Sequence, residues 1–287
     1  MRLAAIFLLW VFNASAQVAV RDDYGHELKL GKPAERIVSL APHLTELLYA
    51  AGAGPRLVGA VDFSDFPAAA RALPRVGSDA RIDLEAVLAL RPDLVVAWPN
   101  AGSLRAVDRL AELGVPVFRS EPRELDDIAR TLERLGRLAG SEPQAAAAAA
   151  AFRARAAALQ RRYAGARKVR VFYQIWDRPL LTVNGAHVIS KVIGVCGGEN
   201  VFAAAPLLVP EVDREAVLRA NPEVIVASGS NDAQPRWLEM WRLRGLAAAD
   251  RGQLYAIPAD LIQRHTPRIL DGAERLCGFL EAARARS

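Results

Sequence analysis

Short apolar runs and amphipathic periods take turns along most of this chain. Residues 36–41 (RIVSLA) make a strand-like run that stops at Pro42, and an apolar helical period through Leu44, Leu47 and Leu48 follows until Gly52. Residues 57–61 predict a second strand, 83–90 a helix running into Pro92, and 93–98 a third strand. A helix over 104–113, stopped by Gly114, and a strand over 115–119 continue the series. Further on, the pattern predicts a strand over 169–175, helices over 187–196 and 213–220, and a strand over 223–227. A helix carrying Trp237 and Trp241, a strand over 254–257 and a last helix from Pro267 complete it. The i, i+4 spacing of the two tryptophans assigns both to one helix face packed on the core. Strands alternating with helices imply βαβ units and parallel sheets.

The alternation breaks at Ser141-Glu142-Pro143, a helix-start signal, after which the alanine run 145–151 leads into an Ala/Leu/Arg segment ending near Tyr163. Alanine is the best helix former, so about 22 residues here predict a rod of roughly 33 Å, a stiff connection and not a tether. On either side of this rod the sequence repeats itself. Residues 83–97 (DLEAVLALRPDLVVA) align without gaps to residues 213–227 (DREAVLRANPEVIVA), each reading helix, proline turn, buried strand. The chain therefore divides into α/β lobes of related architecture over 17–140 and 166–287, joined by a helical segment over 141–165.

Residues 1–16 stand apart. Arg2, the apolar stretch 3–12 and Ala14-Ser15-Ala16 read as a signal peptide cleaved after Ala16, which places the mature chain in the periplasm. The stretch is shorter than the roughly 20 residues that span a bilayer. Hydrophobic residues make up 52% of the sequence and charged ones 24%, a globular balance. The formal charge of +5 rests on arginine, with lysine only at Lys29, Lys32, Lys168 and Lys191, and no basic run is interleaved with aromatics. Nucleic acid is thereby set aside as a partner. Cys196 and Cys277 are the two cysteines. In an exported chain a lone pair reads as one disulfide.

Signatures of catalysis are missing: there is no G-x-S-x-G, G-x-x-x-x-G-K-[ST], H-E-x-x-H or C-x-x-C. His26, His43, His187 and His265 have no local metal-ligand spacing. The chain reads as a binding protein and not an enzyme, with no resident cofactor or metal. An exported cofactor-processing enzyme on the same scaffold is the rival from another class. Ligands of open parallel sheets bind beyond the carboxyl ends of the strands. That rule nominates Pro42 and His43, Phe63 and Phe66, and Trp98 in the first half, then Ile175, Trp176, Asp260 and Arg264 in the second. Apolar rings with a few polar groups suit a large, partly apolar ligand. Glu85 and Glu215 occupy equivalent places in the repeat, each two residues after an Asp able to cap a helix. They either complement a helix dipole or present one carboxylate per lobe to a dimeric partner.

The stretches 36–48 (RIVSLAPHLTELL), 58–67 (VGAVDFSDFP), 92–98 (PDLVVAW), 195–202 (VCGGENVF) and 267–270 (PRIL) resemble the helical-backbone class of periplasmic binding proteins for vitamin B12, haem and ferric siderophores. The VCGGEN stretch with a later cysteine points to the vitamin B12 branch. The resemblance implies two Rossmann-like lobes with mostly parallel sheets, a long rigid helix between them and a ligand cleft where they face. It implies a monomer that carries a corrinoid, cobalamin or a relative, to an ABC importer of a permease dimer and ATPase subunits. A haem or ferric siderophore is the alternative cargo. Position by position, it makes Pro42, Phe63, Trp98, Asp260 and Arg264 ligand contacts, with His43 and Trp176 beside them from the strand-end rule. Glu85 and Glu215 become permease-docking groups, and Cys196 with Cys277 the disulfide. His43 either ligates a metal of the cargo or bonds at the next helix start. Asp79 and Val209 stand where the B12 branch has tryptophans, and Ile175 and Leu181 where it has phenylalanines. The cleft is expected to be less aromatic and more open for it.

Overall fold

Parallel strands buried on both faces need apolar residues at successive positions and helices to cover them, and the short runs of this chain meet that demand twice. The computed structural model describes residues 17–78, 80–100, 102–229 and 236–286. Residues 1–16, the expected signal peptide, and Asp79 lie outside these residues. A hairpin of β1 (Val18–Arg21) and β2 (Glu27–Leu30) precedes β3 (Ile37–Ser39), α1 (Pro42–Ala50) and β4 (Leu57–Ala60). Next come α2 (Leu84–Ala89), β5 (Leu94–Ala97), α3 (Leu104–Glu112), β6 (Val117–Arg119) and α4 (Leu125–Ala139). Beyond α5 (Glu142–Tyr163) the second half holds β7 (Val169–Gln174), the small ribbon β8 (Trp176–Asp177) and β9 (Leu180–Leu181), α6 (Val188–Val195) and β10 (Gly198–Asn200). It closes with α7 (Arg214–Ala220), β11 (Val224–Gly229), α8 (Ala247–Asp250), β12 (Leu254–Pro258), α9 (Ala259–Ile262) and α10 (Ile269–Ala285).

Two four-stranded sheets result, in the orders β4-β3-β5-β6 and β10-β7-β11-β12, with every pairing parallel. Counted from the first strand of each sheet, both orders are 2-1-3-4, so the repeated segment α2–β5 and α7–β11 fills the same slot in each lobe. Side chains alternate across each strand. Leu94 and Val96 of β5, like Val224 and Val226 of β11, join one core that runs through both lobes, while Val95 and Ala97, and Ile225 and Ala227, face separate outer cores.

The rod is α5. Ala145, Ala149, Phe152, Leu159 and Tyr163 are its buried residues, spaced by threes, fours and their sums, and they knit it into the shared core. Arg153 reaches Asp126 and Glu133 on α4, and Arg155 reaches Asp271 and Glu274 on α10, so opposite faces of one turn of α5 grip opposite lobes. Helix α4 carries a clear apolar period through Ile128, Leu132, Leu135 and Leu138 and was not anticipated from the alternation. It turns into α5 at Gly140, whose φ of +66° is the left-handed conformation that ends helices. At Gly136 a Cβ would collide with Ala145 on α5, so glycine sets how closely the two helices approach.

Two readings need correction. The tryptophan segment is a 3₁₀ turn, Arg236–Trp241, with three residues per turn, so positions four apart diverge by about a third of a turn. Trp241 is buried against Phe172 and donates from Nε1 to Gln174, whereas Trp237 faces away toward Trp176. The strand β10 inside the VCGGEN stretch was likewise unforeseen, being only three residues long. Cys196 on the C-cap of α6 and Cys277 on α10 form the disulfide, buried against Leu276 and Leu280 within the shared core. No helix among the described residues is long and apolar enough to cross a membrane.

Candidate functional site

A 2-1-3-4 parallel sheet has its topological switch point beside the first strand, and the loops leaving the strand ends on either side of it splay apart to leave a crevice. Here the two crevices face each other and merge into one cleft, with a cavity of about 330 Å³. From the N-terminal lobe it is lined by Pro42 and His43 after β3, Trp98 after β5, and Glu121, Pro122 and Arg123 after β6. From the C-terminal lobe come Ile175 after β7, His187 at the N-cap of α6, Leu208 and Val209 from the loop that follows β10, and Gln263, Arg264 and His265 after α9. Ile175 and Gln263 also border an adjoining cavity of about 540 Å³ containing Trp176 and Trp237. Together they form one trough, lined by apolar side chains with guanidinium groups at Arg123 and Arg264.

The structure thus brings five of the expected residues, Pro42, His43, Trp98, Ile175 and Arg264, into one wall system, with Trp176 next door. Trp176 is 57% exposed and meets Trp237 edge to face at 6.3 Å. Phe63 is 75% exposed with a φ of +61°, a left-handed backbone that a bulky residue adopts only when held there. What holds it is Arg264, whose Nη2 donates to the Phe63 carbonyl at 3.1 Å while Nη1 pairs with Asp65 at 2.7 Å. Asp260 lies outside the lining of both cavities and receives a hydrogen bond from Arg268. Arg268 forks onto Glu46 of α1 at 2.8 and 2.7 Å and stacks over the Phe66 ring at 3.9 Å. Arg264 and Arg268 therefore both bridge the lobes, as does Lys191 of α6 to Glu124 at 2.7 Å.

The histidines were read as scattered along the chain; folded, three of the four stand in a row on the cleft wall. His265 sits between His43 and His187 with ring centroids 5.9 Å from each, and Trp98 meets His43 edge to face at 5.6 Å. Burial in the apolar wall, with Arg264 nearby, lowers the pKa of His43 to about 4. Burial alone takes His187 to about 4, and burial followed by its two imidazole neighbours holds His265 well below the usual range. All three are neutral at pH 7. Nδ1 of His187 accepts the Ile189 N–H at 3.1 Å, which puts the ring proton on Nε2. Among the described residues no group of three or more His, Cys, Asp or Glu is disposed to hold a bare metal ion. His187 and His265 were missed as cleft residues; the strand-end rule had already reached Arg264, one residue short of His265.

Glu85 and Glu215 are exposed on the first turns of α2 and α7, the equivalent helices of the two lobes. Each helix is capped by its own aspartate: Asp83 Oδ1 accepts from the Ala86 N–H at 3.0 Å and Asp213 Oδ1 from the Ala216 N–H at 2.5 Å. With the amides served by the caps, both glutamate carboxylates face solvent. Neither forms an ion pair among the described residues.

The sequence model described as "Periplasmic binding protein" matches residues 37–261, which is most of the chain and includes both sheets. The chain belongs to the periplasmic binding protein family. A vitamin B12-binding protein of Vibrio cholerae is 39% identical over 251 residues, covering 88% of this chain and 91% of that one. The crystal structure of the periplasmic vitamin B12 binding protein BtuF of Vibrio cholerae superimposes with a TM-score of 0.81 at 38% identity, over 88% of this chain and 98% of that chain. A periplasmic heme-binding protein, RhuT from Roseiflexus, superimposes with a TM-score of 0.75 at 24% identity, over 87% and 99%, a likeness of fold alone. These relatives are binding proteins, and the α/β architecture of two lobes around a long helix is the one they share with this member of the family.

Proposed function

We propose that this chain is a periplasmic receptor that captures a corrinoid between its lobes and hands it to an ABC importer. The observation that carries the reading is the cleft itself. Two sheets of the same order turn their carboxyl ends toward one trough whose lining includes proline, tryptophan, isoleucine, leucine and valine together with Arg123 and Arg264. That is a surface for a large, mostly apolar molecule with polar appendages. The identity to vitamin B12-binding proteins supports cobalamin or a close relative as the occupant.

In this reading Pro42, Trp98, Ile175 and Val209 pack on the macrocycle, while His43, Trp176 and Arg264 contact its edge and side groups. Phe63 closes over it from the rim. Asp260 acts through Arg268, fixing the lobes around the cargo rather than touching it. Valine at 209 and isoleucine at 175 leave the trough wider than an all-aromatic wall would, which admits corrinoids that differ in their appended groups. Glu85 and Glu215 serve as the docking pair, one carboxylate per lobe for one basic site on each half of a permease dimer. Residues 1–16 direct export and are removed after Ala16.

Calorimetric titration of the purified chain, residues 17–287, against cyanocobalamin, cobinamide, haemin and a ferric hydroxamate tests this directly. One-to-one binding of a corrinoid at micromolar concentration or below, tighter than the other two classes, is expected. Binding of haemin or the siderophore with no heat from either corrinoid would overturn the cargo and leave the receptor class standing.

A further inference from the structure

The row of imidazoles has a chemistry that packing does not account for. A bare transition-metal ion takes about four protein donors arranged around it, and no such group exists among the described residues. A metal that already sits in a macrocycle of four nitrogens needs only one further donor, along its axis. The three rings differ in what they have left to give. His187 has none: the Nδ1 lone pair is taken by the Ile189 N–H, and Nε2 carries the proton. His43 has one nitrogen at most, since its Nε2 is buried without a hydrogen-bond partner. His265 has neither ring nitrogen engaged in any hydrogen bond, and neither is shut off from the cavity as His43 Nε2 is. Its place between the other two rings puts it at the middle of the wall.

We propose that His265 is the axial ligand of the cargo's metal, its free imidazole nitrogen replacing the water on one face of a corrinoid cobalt. This rests on the corrinoid reading above. In the step a Co–O bond to water breaks and a Co–N bond to His265 forms. The oxidation state is unchanged, the water leaves, and the ring keeps its proton on the other nitrogen. Because the flanking rings and the apolar wall already hold the imidazole neutral, no proton has to depart before the bond forms. His43 and His187 pack against the ring from either side and limit how it can turn. The preference that follows is for corrinoids with an exchangeable axial position.

Cob(II)inamide, which lacks a base of its own, is the probe. Bound to the parent protein, its electron paramagnetic resonance lines should each split into three by the nuclear spin of one axial nitrogen, and the splitting should vanish in His265→Ala. His43→Gln and His187→Gln should keep it. Diaquocobinamide should bind the parent about tenfold more tightly than dicyanocobinamide, whose axial sites are blocked, and His265→Ala should bind the two alike. A melting temperature of His265→Ala close to the parent's, followed by far-ultraviolet circular dichroism, shows that the variant is folded. Binding of cob(II)inamide without nitrogen splitting overturns the axial ligand and leaves the receptor reading intact. Splitting that survives in His265→Ala, or is lost in His43→Gln instead, also overturns it. Failure of every corrinoid to bind removes the receptor reading and this proposal together.

Discussion

Arg268→Met isolates the contact that most directly ties one lobe to the other. Arg268 stands at the N-cap of α10 and its side chain is 17% exposed, whereas its partner Glu46 on α1 is 3% exposed. Two parallel hydrogen bonds join guanidinium to carboxylate, a third goes to Asp260, and the plane lies over Phe66. Removing the cation leaves Glu46 as a buried carboxylate with no compensating charge, which costs about 3–5 kcal/mol. At roughly 2–4 °C per kcal/mol for a chain of this size, the melting temperature should fall on the order of 10 °C at pH 7.5. Removing both charges in Glu46→Met/Arg268→Met should recover most of the stability, because nothing charged is then left buried. Urea unfolding followed by far-ultraviolet circular dichroism, on the parent and all variants, gives each term. A loss under about 1 kcal/mol in Arg268→Met, or a double variant as weak as the single one, would refute the claim that this pair locks the lobes.

Three further outcomes follow from other parts of the molecule. Cys196→Ser/Cys277→Ser opens a loop with a sequence separation of 81 and should lower unfolding free energy by about 4 kcal/mol, read as a reduced urea midpoint; an unchanged midpoint contradicts it. His43, 8% exposed, is held neutral with a pKa of about 4, while the unfolded chain protonates it near 6.5, so the folded state loses stability as pH falls from about 6.5 to 4. The loss is on the order of 3 kcal/mol for this ring and should be missing in His43→Asn, so equal pH profiles for the two proteins would count against it. Glu85→Arg with Glu215→Arg should leave corrinoid titrations unchanged and cut importer-dependent uptake by at least tenfold; uptake equal to the parent's removes the docking role.

Much of the architecture was legible because parallel sheets advertise themselves locally. Each strand is an apolar run bounded by proline or glycine, and the gap-free match of 83–97 to 213–227 already implied that two lobes share one strand order. The alanine run announced α5. Helix α4 escaped although its period through Ile128, Leu132 and Leu135 is regular and its end is marked by Gly140, because it runs into α5 with no strand between them and so falls outside the alternation. Trp237 went astray for a physical reason: an i, i+4 pair shares a face only in an α-helix, and a 3₁₀ turn points the two tryptophans in different directions. The strand-end rule found Pro42, His43, Trp98 and Arg264 because β-strand exits are local features. Asp260, nominated by the same rule, lies outside the lining of the two cavities, its pairing with Arg268 depending on how α9 meets α10. The imidazole row was beyond its reach. His43, His187 and His265 belong to three segments far apart in sequence, and only the facing of the lobes brings their rings within 5.9 Å.

A crystal structure of residues 17–287 grown with cyanocobalamin bears most directly on the account. The macrocycle should lie in the interlobe trough, with Trp98 on the N-terminal side and Ile175, Val209 and Arg264 on the other, and α5 should keep the lobes at the separation they have here. Cobalamin found outside the trough, or lobes that must swing apart about α5 to admit it, would contradict the claim that a stiff helix presents a preformed corrinoid site.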